Sequence, residues 1–257
     1  VEWIRNGDPI TPAGMRQAID GSLKRLQTDY IDLYQLHWPN RENYQFTQHF
    51  EYGRWAEPRD NGQSARAELR AILETLQELK QAGKIRHVGL SNETAWGTMQ
   101  YLRLAREDNL PRMITMQNEY SLLCRIFDWD LAEVCMKENI GLLAWSPLAT
   151  GILSGKYLDG QVPAGSRHSL RPNTPFRMNE QTDAATRAYL EVADKHNLDP
   201  CQMAIAFTLS RPYITASIIG ATSMAQLENN IAAADITLSQ AVLDDIHAVW
   251  KRYPLPY

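Results

Sequence analysis

Short apolar runs alternate with amphipathic stretches along most of the chain. Five runs rich in β-branched, leucine and aromatic residues predict strands at about 31–37, 84–92, 115–120, 141–147 and 216–222. Between them, apolar residues recur at helical spacing, most clearly at Leu69, Ile72, Leu73, Leu76 and Leu79. The helices predicted in this way cover about 12–27, 64–81, 94–106, 130–138, 182–196, 199–210, 224–233 and 239–251.

Several predicted helices carry recognisable ends. Thr11-Pro12 can start the first helix, with Thr as the N-cap and Pro in the first helical position. Asp199-Pro200 offers the same combination further along the chain. Gly83 follows the helix over 64–81, where a glycine commonly ends a helix in the left-handed conformation.

Strands that alternate with helices predict an α/β fold with a parallel sheet and right-handed crossovers. Either a doubly wound sheet or a (βα)₈ barrel has this order. No G-x-G-x-x-G follows a strand, so the Rossmann fingerprint is absent. Polar or aromatic residues follow nearly every strand, namely His37, Ser91-Asn92, Gln117-Asn118, Trp145-Ser146 and Thr222-Ser223. A barrel would collect these strand ends into one ring, where the chemistry of such folds lies. This favours the (βα)₈ barrel, and His37 is the first candidate site residue.

Two long connections interrupt the repeats. The stretch 40–63 is polar and aromatic, and its length and aromatic content favour a functional lid over a linker. The stretch 148–180 is rich in Gly, Pro, Ser and Arg. Its Arg167, Arg171 and Arg177 form either an exposed basic loop or, with Lys156, an anion site, and the sequence favours neither.

Composition narrows the function classes. The 257 residues are 44% hydrophobic and 22% charged with a net charge of −4, which fits a globular protein and argues against nucleic acid as a partner. No apolar run reaches the roughly 20 residues of a membrane helix, and we expect no signal peptide because none is visible at Val1. Three cysteines without CxxC spacing argue against zinc and a disulfide framework, and for a reducing, cytoplasmic location. The histidines show no metal-ligand spacing, and the oligomeric state stays open.

Several stretches together resemble a known family. They are 22–39 (SLKRLQTDYIDLYQLHWP), 82–93 (AGKIRHVGLSNE), 116–123 (MQNEYSLL), 144–148 (AWSPL), 151–157 (GILSGKY) and 219–223 (IGATS). They resemble the aldo-keto reductases, most closely the Tas-like branch, which is also similar to the potassium-channel β subunits. The resemblance covers essentially the whole chain. It implies a single (βα)₈ barrel domain over 1–257 that binds NADP(H) in an extended form.

The resemblance also implies roles for strand-end residues. His37 matches the histidine that orients and polarises the substrate carbonyl. Ser91, Asn92 and Gln117 match the residues that bond the nicotinamide carboxamide, and amide side chains can both donate to and accept from such a group. Trp145 matches the aromatic residue that stacks on the nicotinamide ring.

Two further groups match the phosphate and adenine contacts. Ser146, Leu148, Gly151, Lys156 and Arg167 match the loop that crosses the pyrophosphate and the adenosine phosphate. Thr222, Gln226, Asn229 and Asn230 match the region that holds the 2′-phosphate and adenine. Gln226 stands where an arginine is common, and Asn229 where a glutamate is common. A preference for NADP(H) over NAD(H) therefore depends mainly on Lys156 and Arg167.

The family tetrad of Asp, Tyr, Lys and His has a counterpart here only in His37. The first strand of this sequence matches the fourth strand of the family, so five of the eight strands are present in it. The earlier segment is missing from the sequence as given, or removed by truncation, or supplied by another chain. The expected function is NADP(H)-dependent reduction of an aldehyde or ketone. The alternatives are a cofactor-binding regulatory subunit and an inactive fragment, and His37 favours the enzyme because the channel subunits tend to lack it.

Overall fold

The computed structural model describes residues 7–41, 43–45, 60–171 and 177–256. Its strands are β1 (Ile31–Leu36), β2 (Ile85–Ser91), β3 (Met113–Glu119), β4 (Gly141–Trp145) and β5 (Ile214–Ile218). Its helices are α1 (Pro12–Leu26), α2 (Gln63–Gln81), α3 (Ala95–Glu107), α4 (Leu131–Glu138), α5 (Arg167–Leu170), α6 (Glu180–Lys195), α7 (Pro200–Leu209), α8 (Met224–Ala232) and α9 (Gln240–Arg252). Short 3₁₀ turns lie at Ile126–Asp128, Ala149–Ser154, Leu158–Gly160 and Ala233–Asp235.

The chain forms two compact units. Unit 1 comprises Val1–Gln117 and Lys137–Gly141, and unit 2 comprises Asn118–Met136 and Leu142–Tyr257. The single domain expected from the sequence stays a prediction.

Unit 1 brings the ends of three parallel strands to one level. Strands β1 and β2 pair in parallel with Leu36 opposite Leu90, and β2 and β3 pair with Ser91 opposite Gln117. Helix α2 packs against α1, β2 and α3, and buries the apolar stripe that its sequence predicts. Because His37 directly follows Leu36, this register places polar residues side by side where the strands end.

Unit 2 is built around a helix that is buried on nearly every side. Helix α7 begins at the cap Asp199, whose carboxylate accepts a hydrogen bond from Gln202 N at 2.9 Å, with Pro200 in the first turn. Its residues 203–208 are all buried, and the helix contacts α6, α8, β5 and the 149–154 turn. Strands β4 and β5 pair in parallel, with Trp145 opposite Ile218.

The predicted α/β fold with parallel strands is confirmed, and most element boundaries agree within two residues. Gly83 adopts the left-handed conformation (φ 74°) just past α2, as its position predicts. The fifth strand was predicted at 216–222 but lies at Ile214–Ile218, since its partner β4 ends at Trp145, which pairs with Ile218. The stretch 148–180 was predicted as one long loop, but its described part contains 3₁₀ turns and α5, which close local hydrogen bonds. No helix within the described ranges has both the length and the apolar character needed to cross a membrane.

Candidate functional site

Four of the predicted site residues meet in unit 1. We call His37, Ser91, Asn92 and Gln117 the strand-end cluster. The Asn92 side-chain amide donates to the His37 carbonyl at 2.9 Å and to the Ser91 hydroxyl at 3.0 Å. The Ser91 hydroxyl in turn donates to the Gln117 carbonyl at 2.7 Å. These bonds join the ends of three strands into one polar group.

The backbone of Asn92 is held in an uncommon conformation. Its φ is 53°, in the left-handed region, and the residue is only 2% exposed. Its backbone N–H donates to the Gln117 carbonyl at 3.1 Å. Non-glycine residues reach this region at a cost in free energy, although Asn tolerates it better than most. Such conformations are concentrated at functional sites.

Gln117 leaves an amide available in the strand-end cluster. Its side chain is half-buried, and it makes no hydrogen bond to any residue in the part of the chain that the structure describes. An amide offers both a donor and an acceptor to a partner with the same edge. The site therefore fits a carboxamide.

His37 faces a cavity of about 330 Å³ whose lining includes Met15, Tyr34 and Asn40. The residue keeps an exposed surface, while neighbouring atoms shield part of its ring from water. This partial burial lowers the pKa of His37 below its usual value of 6.5. The ring is therefore neutral at pH 7 and can donate one hydrogen bond into the cavity.

A buried ion pair adjoins the strand-end cluster, and no pattern in the sequence indicates it. Arg41 donates to both Glu93 carboxylate oxygens, at 3.1 Å for Nη1 to Oε2, and its side chain lies 5.2 Å from the Trp96 ring centroid. The Arg41 and Glu93 side chains are 12% and 2% exposed. The pair leaves no room for a side chain at Gly97, where a Cβ would overlap both partners. The pair therefore links Glu93, which follows Asn92, to Arg41, which lies four positions after His37.

In unit 2, the predicted phosphate loop has an unusual backbone. Ser146, Ala149 and Thr150 have φ values of 56°, 47° and 61° in the left-handed region, and Gly151 has 97°. Thr150 is a particular outlier because β-branched residues rarely adopt this conformation. The Leu148 carbonyl accepts from Gly151 N at 2.8 Å and closes the turn. We call residues 146–157 the phosphate loop.

An unsatisfied hydroxyl lies at the end of the phosphate loop. Tyr157 is 1% exposed, and its hydroxyl has no hydrogen-bond partner among the residues that the structure describes. The Lys156 ammonium lies 5.2 Å from the Tyr157 ring centroid. A Cβ at Gly151 would lie 3.2 Å from Lys156 Cε, so glycine keeps this space open. An unsatisfied hydroxyl and an ammonium group on adjacent residues fit an anionic ligand such as a phosphate.

His168 packs against the phosphate loop. Its ring lies edge-on to Tyr157 with 4.4 Å between centroids, and its Nε2 lies 3.4 Å from the Thr150 hydroxyl. Burial lowers the pKa of His168, and the charges of Arg167, Arg177 and Lys156 lower it further. Arg167, the first residue of α5, is exposed, so this site residue is solvent-accessible as an anion contact would require.

Arg177 was predicted to lie in either an exposed basic loop or an anion site, but it is buried in an ion pair. It is 3% exposed, and its guanidinium donates to the Glu119 carboxylate at 2.7 Å. The same guanidinium lies 5.7 Å from the centroid of the Trp145 ring. Of the two alternatives, the exposed loop therefore does not hold for Arg177, because a buried carboxylate and an aromatic ring replace the solvent around it.

The last predicted group surrounds helix α8. The Gln226 side-chain carbonyl accepts from Thr222 N at 2.9 Å, and the Asn230 amide donates to the Gly220 carbonyl at 3.3 Å. Asn229 is bonded to Gln202 at 2.8 Å and to the cap Asp199 at 3.1 Å. Helix α7 contacts both α8 and the 149–154 turn, so one buried helix packs against both groups of predicted residues.

The cysteines do not form a reactive site. All three are free, and Cys124 and Cys135 are buried. Burial raises the pKa of the Cys201 thiol to about 11, with a further rise from Asp199 that Lys156 partly offsets. Within the described ranges, no group of three His, Cys, Asp or Glu side chains is placed to bind a metal ion.

The chain is similar to proteins of one known family. The sequence profile of the aldo/keto reductase family matches residues 5–251. The chain is 45% identical to Protein tas of Escherichia coli (strain K12) over 253 residues, which cover 98% of this chain and 71% of that protein. It is 35% identical to an aldo-keto reductase of Babesia bovis over 268 residues, covering 98% of this chain and 92% of that protein. It is 30% identical to L-glyceraldehyde 3-phosphate reductase of E. coli K12 over 236 residues, which cover 89% of this chain and 61% of that protein.

Proposed function

The chain belongs to the aldo/keto reductase family of oxidoreductases, and from that premise we propose that it is an NADP(H)-dependent reductase of aldehydes or ketones. The observation that carries the proposal is the strand-end cluster, in which Asn92 joins His37 to the pair Ser91 and Gln117. The side chains of Asn92 and Ser91 thus tie the backbone of His37, the candidate for the carbonyl, to that of Gln117, the candidate for the carboxamide.

Each member of the cluster has a defined task in this proposal. When bound, the reduced nicotinamide supplies the hydride. The Gln117 amide, which makes no hydrogen bond within the described residues, binds the carboxamide, with Ser91 and Asn92 beside it. The neutral His37 ring donates a hydrogen bond to the carbonyl oxygen and polarises it.

Further residues are assigned to the rest of the cofactor in this proposal. Trp145 provides a ring on which the nicotinamide stacks. Lys156, Arg167 and the Tyr157 hydroxyl bind phosphate oxygens, with Ser146, Leu148 and Gly151 shaping the loop. Gln226 is engaged with Thr222, so the preference for NADP(H) depends on Lys156 and Arg167. Thr222, Asn229 and Asn230 frame the adenosine end.

The proposed partner is a small carbonyl compound, and the proposed location is the cytoplasm. The name of the glyceraldehyde phosphate reductase relative supports an aldehyde as the substrate class. Three free cysteines fit a reducing compartment.

The test is an NADPH titration followed by nicotinamide fluorescence, and then NADPH oxidation with a panel of aldehydes and ketones. We expect saturable binding and turnover of at least one carbonyl compound. Gln117→Ala should weaken NADPH binding about tenfold, because a hydrogen bond to the carboxamide is lost, while Gln240→Ala at an exposed position of α9 should not. Absence of NADPH binding to the folded chain would refute the proposal, and binding without turnover would favour a regulatory cofactor-binding protein.

A further inference from the structure

An ion pair is buried against the ring that is proposed to stack on the cofactor. Arg177 Nη2 lies 2.7 Å from Glu119 Oε2, and the two side chains are 4% and 8% exposed. The Arg177 guanidinium carbon lies 5.7 Å from the Trp145 ring centroid. All three residues belong to unit 2, with Glu119 at the end of β3 and Trp145 at the end of β4.

The charge of Arg177 is permanent. A guanidinium does not lose its proton in proteins, even when it is buried. A buried cation acts on its surroundings through a low dielectric, so its field extends farther than that of a surface charge. Here Glu119 supplies a compensating negative charge within hydrogen-bonding distance. The Trp145 ring therefore packs against an ion pair in which the positive charge of Arg177 is balanced by the negative charge of Glu119.

The two redox forms of a nicotinamide differ in charge at the ring itself. The oxidised ring is a cation and the reduced ring is neutral, because the hydride brings two electrons and one proton to it. A nicotinamide on Trp145 would share that ring with Arg177. An uncompensated guanidinium there would repel the oxidised ring and leave the reduced ring nearly unaffected.

We propose that the Arg177–Glu119 pair sets the relative affinity of the site for oxidised and reduced nicotinamide. Arg177 supports the Trp145 ring, and Glu119 neutralises the cation so that the oxidised cofactor can still bind. Neither residue touches the cofactor in this assignment, and both act through Trp145. The inference depends on the proposed function, since it requires a nicotinamide at Trp145.

A purely structural role for the pair predicts a different result. Removal of Glu119 would then disturb Trp145 and weaken the binding of both cofactor forms by the same factor. The ratio of the two dissociation constants separates the two roles, because it responds to charge and cancels a general loss of packing.

The experiment measures the dissociation constants of NADP⁺ and NADPH for the wild-type chain and for Glu119→Gln. The amide is nearly isosteric with the carboxylate and leaves the Arg177 charge in place. We expect the ratio of the NADP⁺ constant to the NADPH constant to rise about tenfold. For a two-electron couple, this equals a rise of about 30 mV in the potential of the bound cofactor. An unchanged ratio would overturn the proposal.

The control removes both charges together. In Glu119→Gln/Arg177→Gln no uncompensated charge remains, so the ratio should return to within about twofold of the wild-type ratio. A double variant that kept the raised ratio would also contradict the proposal, because the change could not then come from Arg177.

A second variant covers the possibility that Glu119→Gln does not fold, since an unpaired buried charge is strongly destabilising. Glu119→Asp keeps the negative charge but withdraws it by one methylene group. In this variant the ratio of the NADP⁺ to the NADPH dissociation constant should rise by a smaller factor than in Glu119→Gln. A ratio equal to that of the wild type would count against the inference. Wild-type protein that bound neither cofactor form would instead refute the proposed function.

Discussion

The strand-end cluster and the phosphate loop both contain predicted site residues, but they satisfy their polar groups in different ways. In the cluster, the Asn92 amide and the Ser91 hydroxyl donate to neighbouring residues, whereas the Gln117 amide makes no hydrogen bond within the described residues. In the phosphate loop, a fully buried hydroxyl on Tyr157 has no hydrogen-bond partner among the described residues. The cluster is thus organised by its own bonds, whereas the loop leaves a costly polar group for a ligand to satisfy.

The backbones of the two regions show the same contrast. The cluster contains one left-handed non-glycine residue, Asn92, which is held by a backbone hydrogen bond on one side and by the Arg41–Glu93 pair on the other. The phosphate loop contains three within five residues, including the β-branched Thr150. Strain of this kind persists where the surroundings enforce it. We therefore expect substitutions that break the internal bonds of the cluster to affect stability and those in the loop to affect binding.

The largest effect is expected from breaking the pair that supports the cluster. Glu93→Ala leaves the Arg41 guanidinium, 12% exposed, without its carboxylate, and should lower the free energy of unfolding by about 3–5 kcal/mol. The measurement is urea denaturation. Asp108→Ala breaks the exposed Arg70–Asp108 pair (45% and 34% exposed) and should have a much smaller effect. Similar losses in the two variants would show that burial of the Arg41–Glu93 pair contributes nothing.

The elements and the strand-end residues could be predicted because their signals are local. Helical spacing in α2, the Thr11-Pro12 cap and the histidine after β1 are each visible within a few residues. Parallel pairing then brings strand ends together whatever residues they carry. Little more than this was needed to predict the cluster.

The two buried ion pairs could not be predicted in the same way. Arg41 and Glu93 are 52 positions apart, and Arg177 and Glu119 are 58 apart. Neither pair has a spacing or a composition that distinguishes it from surface charges. The sequence accordingly left Arg177 open between an exposed loop and an anion site, whereas burial against Glu119 and Trp145 governs its position. The orphan hydroxyl of Tyr157 likewise depends on tertiary packing alone.

The second-largest effect is expected from two buried tyrosines, which test whether the phosphate loop and the rest of the fold satisfy their polar groups differently. Tyr157 and Tyr189 are both buried, but the Tyr189 hydroxyl donates to the Leu122 carbonyl at 3.0 Å while the Tyr157 hydroxyl has no described partner. Tyr157→Phe should leave unfolding unchanged and weaken NADPH binding by roughly tenfold or more, because a hydrogen bond to a phosphate is lost.

Tyr189→Phe is the matched control for that prediction. It should lower the free energy of unfolding by about 1–2 kcal/mol and leave NADPH binding unchanged. Urea denaturation gives the free energy of unfolding of both variants, and fluorescence titration gives their NADPH dissociation constants. Loss of stability in Tyr157→Phe with unchanged binding would show that the hydroxyl serves the fold, and the distinction between the two regions would fail.

The smallest effect is a pH dependence that should differ between His168 at the phosphate loop and His37 in the cluster. Burial, with the neighbouring Arg167, Arg177 and Lys156 charges, holds the pKa of His168 below the usual 6.5. The unfolded chain therefore takes up this proton at higher pH than the folded chain, so stability is complete above pH 6.5 and falls as the pH is lowered through 6.5 towards the folded pKa. Urea midpoints at about pH 7.5 and about pH 5.5 should lie closer together in His168→Gln than in the wild type.

The control is His37→Gln. It should change the difference between the two urea midpoints less, because the surface of His37 is exposed whereas His168 is 5% exposed. If the two variants changed it equally, the packing of His168 against Tyr157 would have no part in the effect.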